Sequence, residues 1–174
     1  SSRFRWERTV LRFAGGEFFV SADGVFVMQE LVRKNVGVTV ADVAELRRRL
    51  AALFRRRVVL LGTADGETPR HHIGMVLTPL GNQRVLVGDV RAARDWAAAL
   101  PASSAFQSWR LDEADFSAET IARFDRVAEL LRAEGLQVAR APLVPLRDGI
   151  SYVTYQNVVM EERDGRRVVY LPQY

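Results

Sequence analysis

Three times along this chain an apolar strand, a turn-forming polar tip and a second apolar strand follow one another, and that repetition restricts the available folds more than any other feature. The first copy runs from Glu17 to Met28 through Ala22-Asp23-Gly24, the second from His72 to Val87 through Gly81-Asn82, and the third from Tyr152 to Leu171 through Asp164-Gly165. Glycine, asparagine and aspartate at such tips tolerate the positive φ angles of tight hairpins.

After the first copy, Thr39 is an expected N-cap with Asp42 behind it, and Val43, Leu46, Leu50 and Leu53 recur at helical spacing before the apolar strand 58–61. After the second, a short helix is expected at 91–100, stopped by Pro101. Ser117 then caps a longer helix carrying Ile121, Phe124, Val127 and Leu131 on one face, with Gly135 at its end and a strand at 136–141. Residues 8–13 read as a further short strand leading to Gly15-Gly16. A strand, strand, helix, strand module is therefore repeated over about 8–61 and 72–141, while 151–174 holds only its opening hairpin. The pattern predicts one α/β domain over 1–174, incomplete at its C-terminus, with helices outside and strands around a central axis. Loops near such an axis are natural places for a site.

Composition narrows the function classes. No run approaches the roughly 20 apolar residues of a membrane span, and the opening Ser-Ser-Arg-Phe-Arg-Trp is no signal peptide, so a soluble, cytoplasmic protein is expected. The absence of cysteine excludes a disulfide, a thiolate metal site and a cysteine nucleophile within these residues. The net charge of +4 rests almost wholly on arginine, Lys34 being the single lysine. The clusters Arg47-Arg48-Arg49 and Arg55-Arg56-Arg57 fall on and after a helix, where a solvated face accounts for them, so neither a nucleic acid nor a membrane is expected as a partner.

Three ordered motifs carry a resemblance: Ala14-Gly15-Gly16-Glu17 before the first hairpin, His71-His72-Ile73-Gly74-Met75 before the second, and Ser151-Tyr152-Val153-Thr154-Tyr155-Gln156-Asn157 at the third, with Leu171-Pro172-Gln173-Tyr174 after it. In order and spacing the chain resembles the guanidine-modifying pentein superfamily, which includes agmatine, arginine and peptidylarginine deiminases, dimethylarginine hydrolases and amidinotransferases. The resemblance implies a partial pentein-like α/β propeller. It also implies a hydrolase or amidinotransferase acting on a guanidino compound such as arginine, agmatine or a methylarginine, with no metal or organic cofactor. A planar guanidinium is held by carboxylates in a charge-assisted fork, a cysteine thiolate attacks its central carbon, and a histidine moves the protons. His72 matches that histidine.

The chain departs from the family pattern at three points. Ala14 stands where a carboxylate precedes the glycine pair, although Glu17 lies just beyond; Gly74 stands where deiminases carry aspartate; and the cysteine belongs to a module beyond Tyr174. Glu17, Asp65, Gly74 and Asn157 are the candidate substrate-binding positions beside the catalytic candidate His72, with Glu67 and Asp89 as further carboxylates. Trp96, Phe106 and Trp109 are placed to cover a ligand, core packing being the alternative, and His71 is read as a surface residue. A catalytically inactive relative or fragment, binding a small molecule or protein on the same scaffold, is the rival reading. An unpaired strand edge at the third hairpin predicts self-association or a complementing C-terminal segment.

Overall fold

The two complete units fold alike because each hairpin is followed by a helical crossover that returns its chain parallel to the hairpin's second strand. The computed structural model describes residues 8–70, 72–100, 111–154, 156–164 and 166–170. In the first unit β1 (Phe18–Ser21) and β2 (Gly24–Met28) pair antiparallel, α1 (Gln29–Asn35) and α2 (Val43–Phe54) follow, and β3 (Val58–Leu61) lies parallel to β2 with Val25 opposite Val58. The second unit opens on a helical turn, α3 (Ile73–Val76), before β4 (Leu77–Gly81) and β5 (Arg84–Asp89). The helices α4 (Val90–Ala99) and α5 (Ala118–Ala133) then lead to β6 (Gln137–Pro142), parallel to β5 with Val85 opposite Val138. Asn82 and Gln83, at the tip between β4 and β5, both have positive φ, 54° and 57°, the conformation that a two-residue hairpin turn demands.

Past β6 the chain pairs two short strands, β7 (Val144–Pro145) with β8 (Tyr152–Val153), and then forms the third hairpin from β9 (Val159–Arg163) and β10 (Arg166–Tyr170). Among the described residues β9 and β10 pair only with each other, whereas β2 and β5 each hold a parallel neighbour.

Period-two alternation decides where the core lies. Phe26, Met28, Val59 and Leu61 face one way and join Val85, Val87, Ile121, Phe124, Val127 and Leu131, so α5 packs against strands from both units. Val25, Val27, Val58 and Leu60 face the other way, onto Leu31, Val32, Leu46 and Leu50 of α1 and α2. A strand covered on both faces has no polar side, which is why β2 and β3 read as unbroken apolar runs. Arg47 and Arg57, one from each basic cluster, tie this unit to the end of α5: Arg47 Nη1 donates to Val58 O and Glu134 Oε1, and Arg57 Nη1 donates to Glu134 O.

Several sequence expectations are corrected. Ile73–Val76 is helical, not strand, because Met75 N donates to His72 O at 2.8 Å and the His72 side chain caps the turn. Residues 8–13 form no strand; Asn35 grips them, its Nδ2 donating to Arg12 O and its Oδ1 accepting from Arg12 N. The cap of α2 is Asp42, which accepts from Glu45 N, while the Thr39 hydroxyl donates to Asn35 Oδ1 at the end of the unanticipated helix α1. The third hairpin starts at Val159, since Tyr152–Val153 pairs backward with Val144–Pro145. His71, Pro101, Phe106, Trp109 and Tyr155 lie outside the described residues. Among the described residues no helix is long and apolar enough to cross a membrane.

Candidate functional site

The heads of the three hairpins meet around one imidazole. His72 precedes α3 and its Nδ1 accepts from Gly74 N at 3.2 Å, which leaves Nε2 as the ring nitrogen that carries the proton. Gly16, in the 3-10 turn Gly15–Glu17 ahead of β1, lies close to the Cδ2 side of the ring. A Cβ there would stand 2.7 Å from His72 Cδ2 and 3.4 Å from Nε2, so only glycine leaves the ring its place. On the Nδ1 side, a Cβ on the buried Gly74 would meet Asn157 Oδ1 at 2.9 Å and His72 Nδ1 at 3.3 Å. Gly16, His72 with Gly74, and Asn157 each stand just before the first strand of a hairpin, so the repeat itself brings them together. His72 is solvent-exposed despite this seating, so the ring remains within reach of an incoming group.

The carboxylates arrange differently. Glu17 belongs to the same turn as Gly16, yet its carboxylate is engaged: it pairs with Lys34 and accepts from Ala14 N. Asp65 pairs with Arg70 at 2.7 Å on an exposed loop and lines a separate cavity of about 250 Å³ with Gln29, Arg33 and Thr63. Glu67 is a structural anchor. The Thr63 N–H above all, then the Arg126 guanidinium and the Ala64 N–H, hold its carboxyl below the ordinary glutamate range. Asp89 caps α4 through Ala92 N, with Arg140 Nε 3.7 Å away. Trp96 lines a cavity described next.

Sequence reasoning missed two things. The first is the contact of Gly16 with the ring, since a glycine pair in sequence reveals flexibility but not what it touches. The second is Gln156, next to the motif residue Asn157: it is 2% exposed, and its side-chain amide has neither donor nor acceptor partner. It lines an apolar cavity of about 300 Å³ between α4, β6, β7 and β8. Beneath that region Tyr152 packs edge-on against Phe124, ring centroids 6.0 Å apart, and burial, with Asp148 adding to it, pushes its hydroxyl pKa up to about 12.

The mixed α/β architecture, with its hairpin heads near one histidine, resembles in fold the pentein deiminases. The match is to a particular enzyme structure: the chain superposes on "C. Jejuni Agmatine Deiminase" with a TM-score of 0.52 at 14% identity, covering 84% of this chain and 39% of that one. A second structure, that deiminase's C315S form with substrate bound, gives a TM-score of 0.46 at 12% identity over 88% of this chain and 36% of that one. No protein-family model matches the sequence, and no curated protein matches it. The likeness to agmatine deiminase is one of fold, and this chain spans well under half of that enzyme's length.

Proposed function

We propose that this chain is part of a pentein-type enzyme, a deiminase-like hydrolase or an amidinotransferase, acting on a guanidino compound such as arginine, agmatine or a methylarginine. The observation that carries the reading is the oriented imidazole: Nδ1 accepts from Gly74 N and the exposed ring is within reach of a substrate. In a deiminase reaction the thiol gives its proton to the histidine, the thiolate adds to the guanidinium carbon, ammonia leaves with a proton from the imidazolium, and water, deprotonated by the now neutral histidine, expels the thiolate and releases the ureido product. His72 takes the proton-transfer role: the imidazolium forms as Nδ1 gains a proton and gives up the bond from Gly74 N, and Nε2 then delivers and regains a proton; the thiol comes from sequence beyond this chain. Asn157, whose Oδ1 lies beside Gly74, takes a substrate-contact role, and Glu17, in the same turn as Gly16, supplies a carboxylate provided that it parts from Lys34. Asp65 contributes only if its loop presents it away from Arg70. A propeller around a central axis, housed in one cytoplasmic domain, is the architecture this reading implies.

The third hairpin fits the same proposal. β2 and β5 each accept a parallel strand, so the free edge of β10 is the place for the equivalent strand, supplied by a complementing segment or a second copy. Sedimentation analysis showing a stable monomer of this chain would remove the second-copy version.

A non-catalytic binding module is the second reading, favoured by Glu17 pairing with Lys34 and by the absence of a carboxylate at Gly74. The two separate on one experiment. The chain extended by its downstream sequence is assayed for ammonia and ureido product with a panel of guanidines. Turnover that His72→Ala abolishes supports the enzyme, and no turnover with any guanidine supports the binding module. Gly74→Asp combined with Asn157→Ala, which clears the 2.9 Å approach, is expected to gain affinity for guanidinium.

A further inference from the structure

Among the buried groups that proton transfer at His72 does not use, Gln156 stands out. Its backbone is fixed on both sides, the Thr154 hydroxyl accepting from its N–H at 3.0 Å and the Thr78 hydroxyl donating to its carbonyl. Its side-chain Oε1 and Nε2 are both fully enclosed, and neither has a hydrogen-bond partner. An amide left this way inside a protein costs its full desolvation, so such groups are rare without a reason.

Gln156 lines a cavity of about 300 Å³, at the small end of the range for ligand pockets, with its amide atoms sealed behind the wall. Leu86, Ala93, Trp96, Val144 and Val153 make up most of the remaining described wall, and none of the described lining residues is charged. Uncharged walls disfavour an ion of either sign, because no opposite charge is there to repay its desolvation. An unpaired donor and acceptor on one planar amide are complemented by a group that presents an acceptor and a donor side by side. An amide or lactam does this without charge.

We infer that this cavity is a binding site for a small neutral apolar molecule with an amide or lactam head: the Gln156 side chain turns toward the cavity to pair with that head, and the hydrocarbon part lies against Trp96 and the strands. The site is chemically unlike one for a guanidinium, and the inference stands whether or not His72 is catalytic.

Calorimetric titration of the chain with hexanamide, and with hexanoate at neutral pH as its charged counterpart, tests this. Hexanamide is expected to bind at least about tenfold more tightly than hexanoate, the worth of one well-made hydrogen-bonded pair. Gln156→Leu is expected to weaken hexanamide by about tenfold and, because it removes an unpaired buried amide, to raise the thermal midpoint of the unliganded chain. Ala93→Phe, which fills the cavity from α4, is expected to abolish binding. The inference is overturned if hexanamide fails to bind at millimolar concentration, if hexanoate binds equally well, or if binding survives both substitutions. A lower midpoint for Gln156→Leu overturns it too, since the amide would then have a structural partner.

Discussion

Gly88 offers the sharpest physical test of how the second unit closes. It lies in β5 beside Ala141 of β6, and a Cβ there would fall 2.7 Å from Leu143 Cδ1, 3.0 Å from Phe124 Cε1 and 3.1 Å from Leu143 Cβ. Carbon atoms pack at about 3.5–4.0 Å, so Gly88→Ala is about 1 Å too close to one methyl and roughly half an ångström too close to two further atoms. Leu143 and Phe124 are both within 1% of full burial and cannot swing into solvent. Overpacking of this kind costs about 1–3 kcal/mol, and the lower chain entropy of alanine in the unfolded state returns about 0.4–1 kcal/mol. The net loss is about 0–2.6 kcal/mol, a fall of up to roughly 10 °C in midpoint for a chain of this size. Urea unfolding followed by circular dichroism measures it. Leu143→Ala alone should cost about 2–5 kcal/mol, and the double variant should cost about 1–2 kcal/mol less than the sum, because the truncated side chain vacates the space that the new methyl needs. Strict additivity, or a Gly88→Ala variant more stable than the parent, would refute the close packing of β5 and β6 against Leu143.

Further outcomes are expected elsewhere. Gly16→Ala should leave stability within about 0.5 kcal/mol, because the exposed His72 ring can move aside, yet it should shift the imidazole nitrogen resonances as the bond from Gly74 N is lost. For Glu67 the folded carboxyl lies below its unfolded value, so its stabilisation is present above the unfolded pKa and lost as pH falls through the folded one. The Glu67→Gln variant should therefore lose about 1–2 kcal/mol near neutral pH and converge on the parent in acid, which a series of urea midpoints against pH would reveal. Tyr152 behaves oppositely. With its folded pKa pushed up to about 12, stability holds below the unfolded tyrosine value near pH 10 and falls as pH rises toward 12. Tyr152→Phe should remove that alkaline loss, and identical alkaline unfolding of the two proteins would contradict the buried placement of the hydroxyl.

Taken alone, the sequence determined the parts that follow from local chemistry. The Ser117 cap, the apolar face from Ile121 to Leu131 and the stop at Gly135 delimit α5, and the positive-φ tips mark the hairpins. It also pointed to a repeated hairpin, with Gly16 and His72 ahead of the first two, whereas Asn157 reached the head of the third only because Tyr152–Val153 pairs with Val144–Pro145. Only the tertiary structure decided what those places touch. Whether Glu17 is free or held depends on Lys34, seventeen residues away on another element, and periodicity carries no record of such a partner. Asp65, Glu67 and Asp89 were equivalent as letters, and became an exposed ion pair, a loop anchor and a helix cap through neighbours supplied by folding. Gln156 shows the same limit most clearly. An amide beside a motif residue looks ordinary in sequence, and its unpaired burial arises because β8, α4 and β6 close around it, a property of packing that belongs to no single segment.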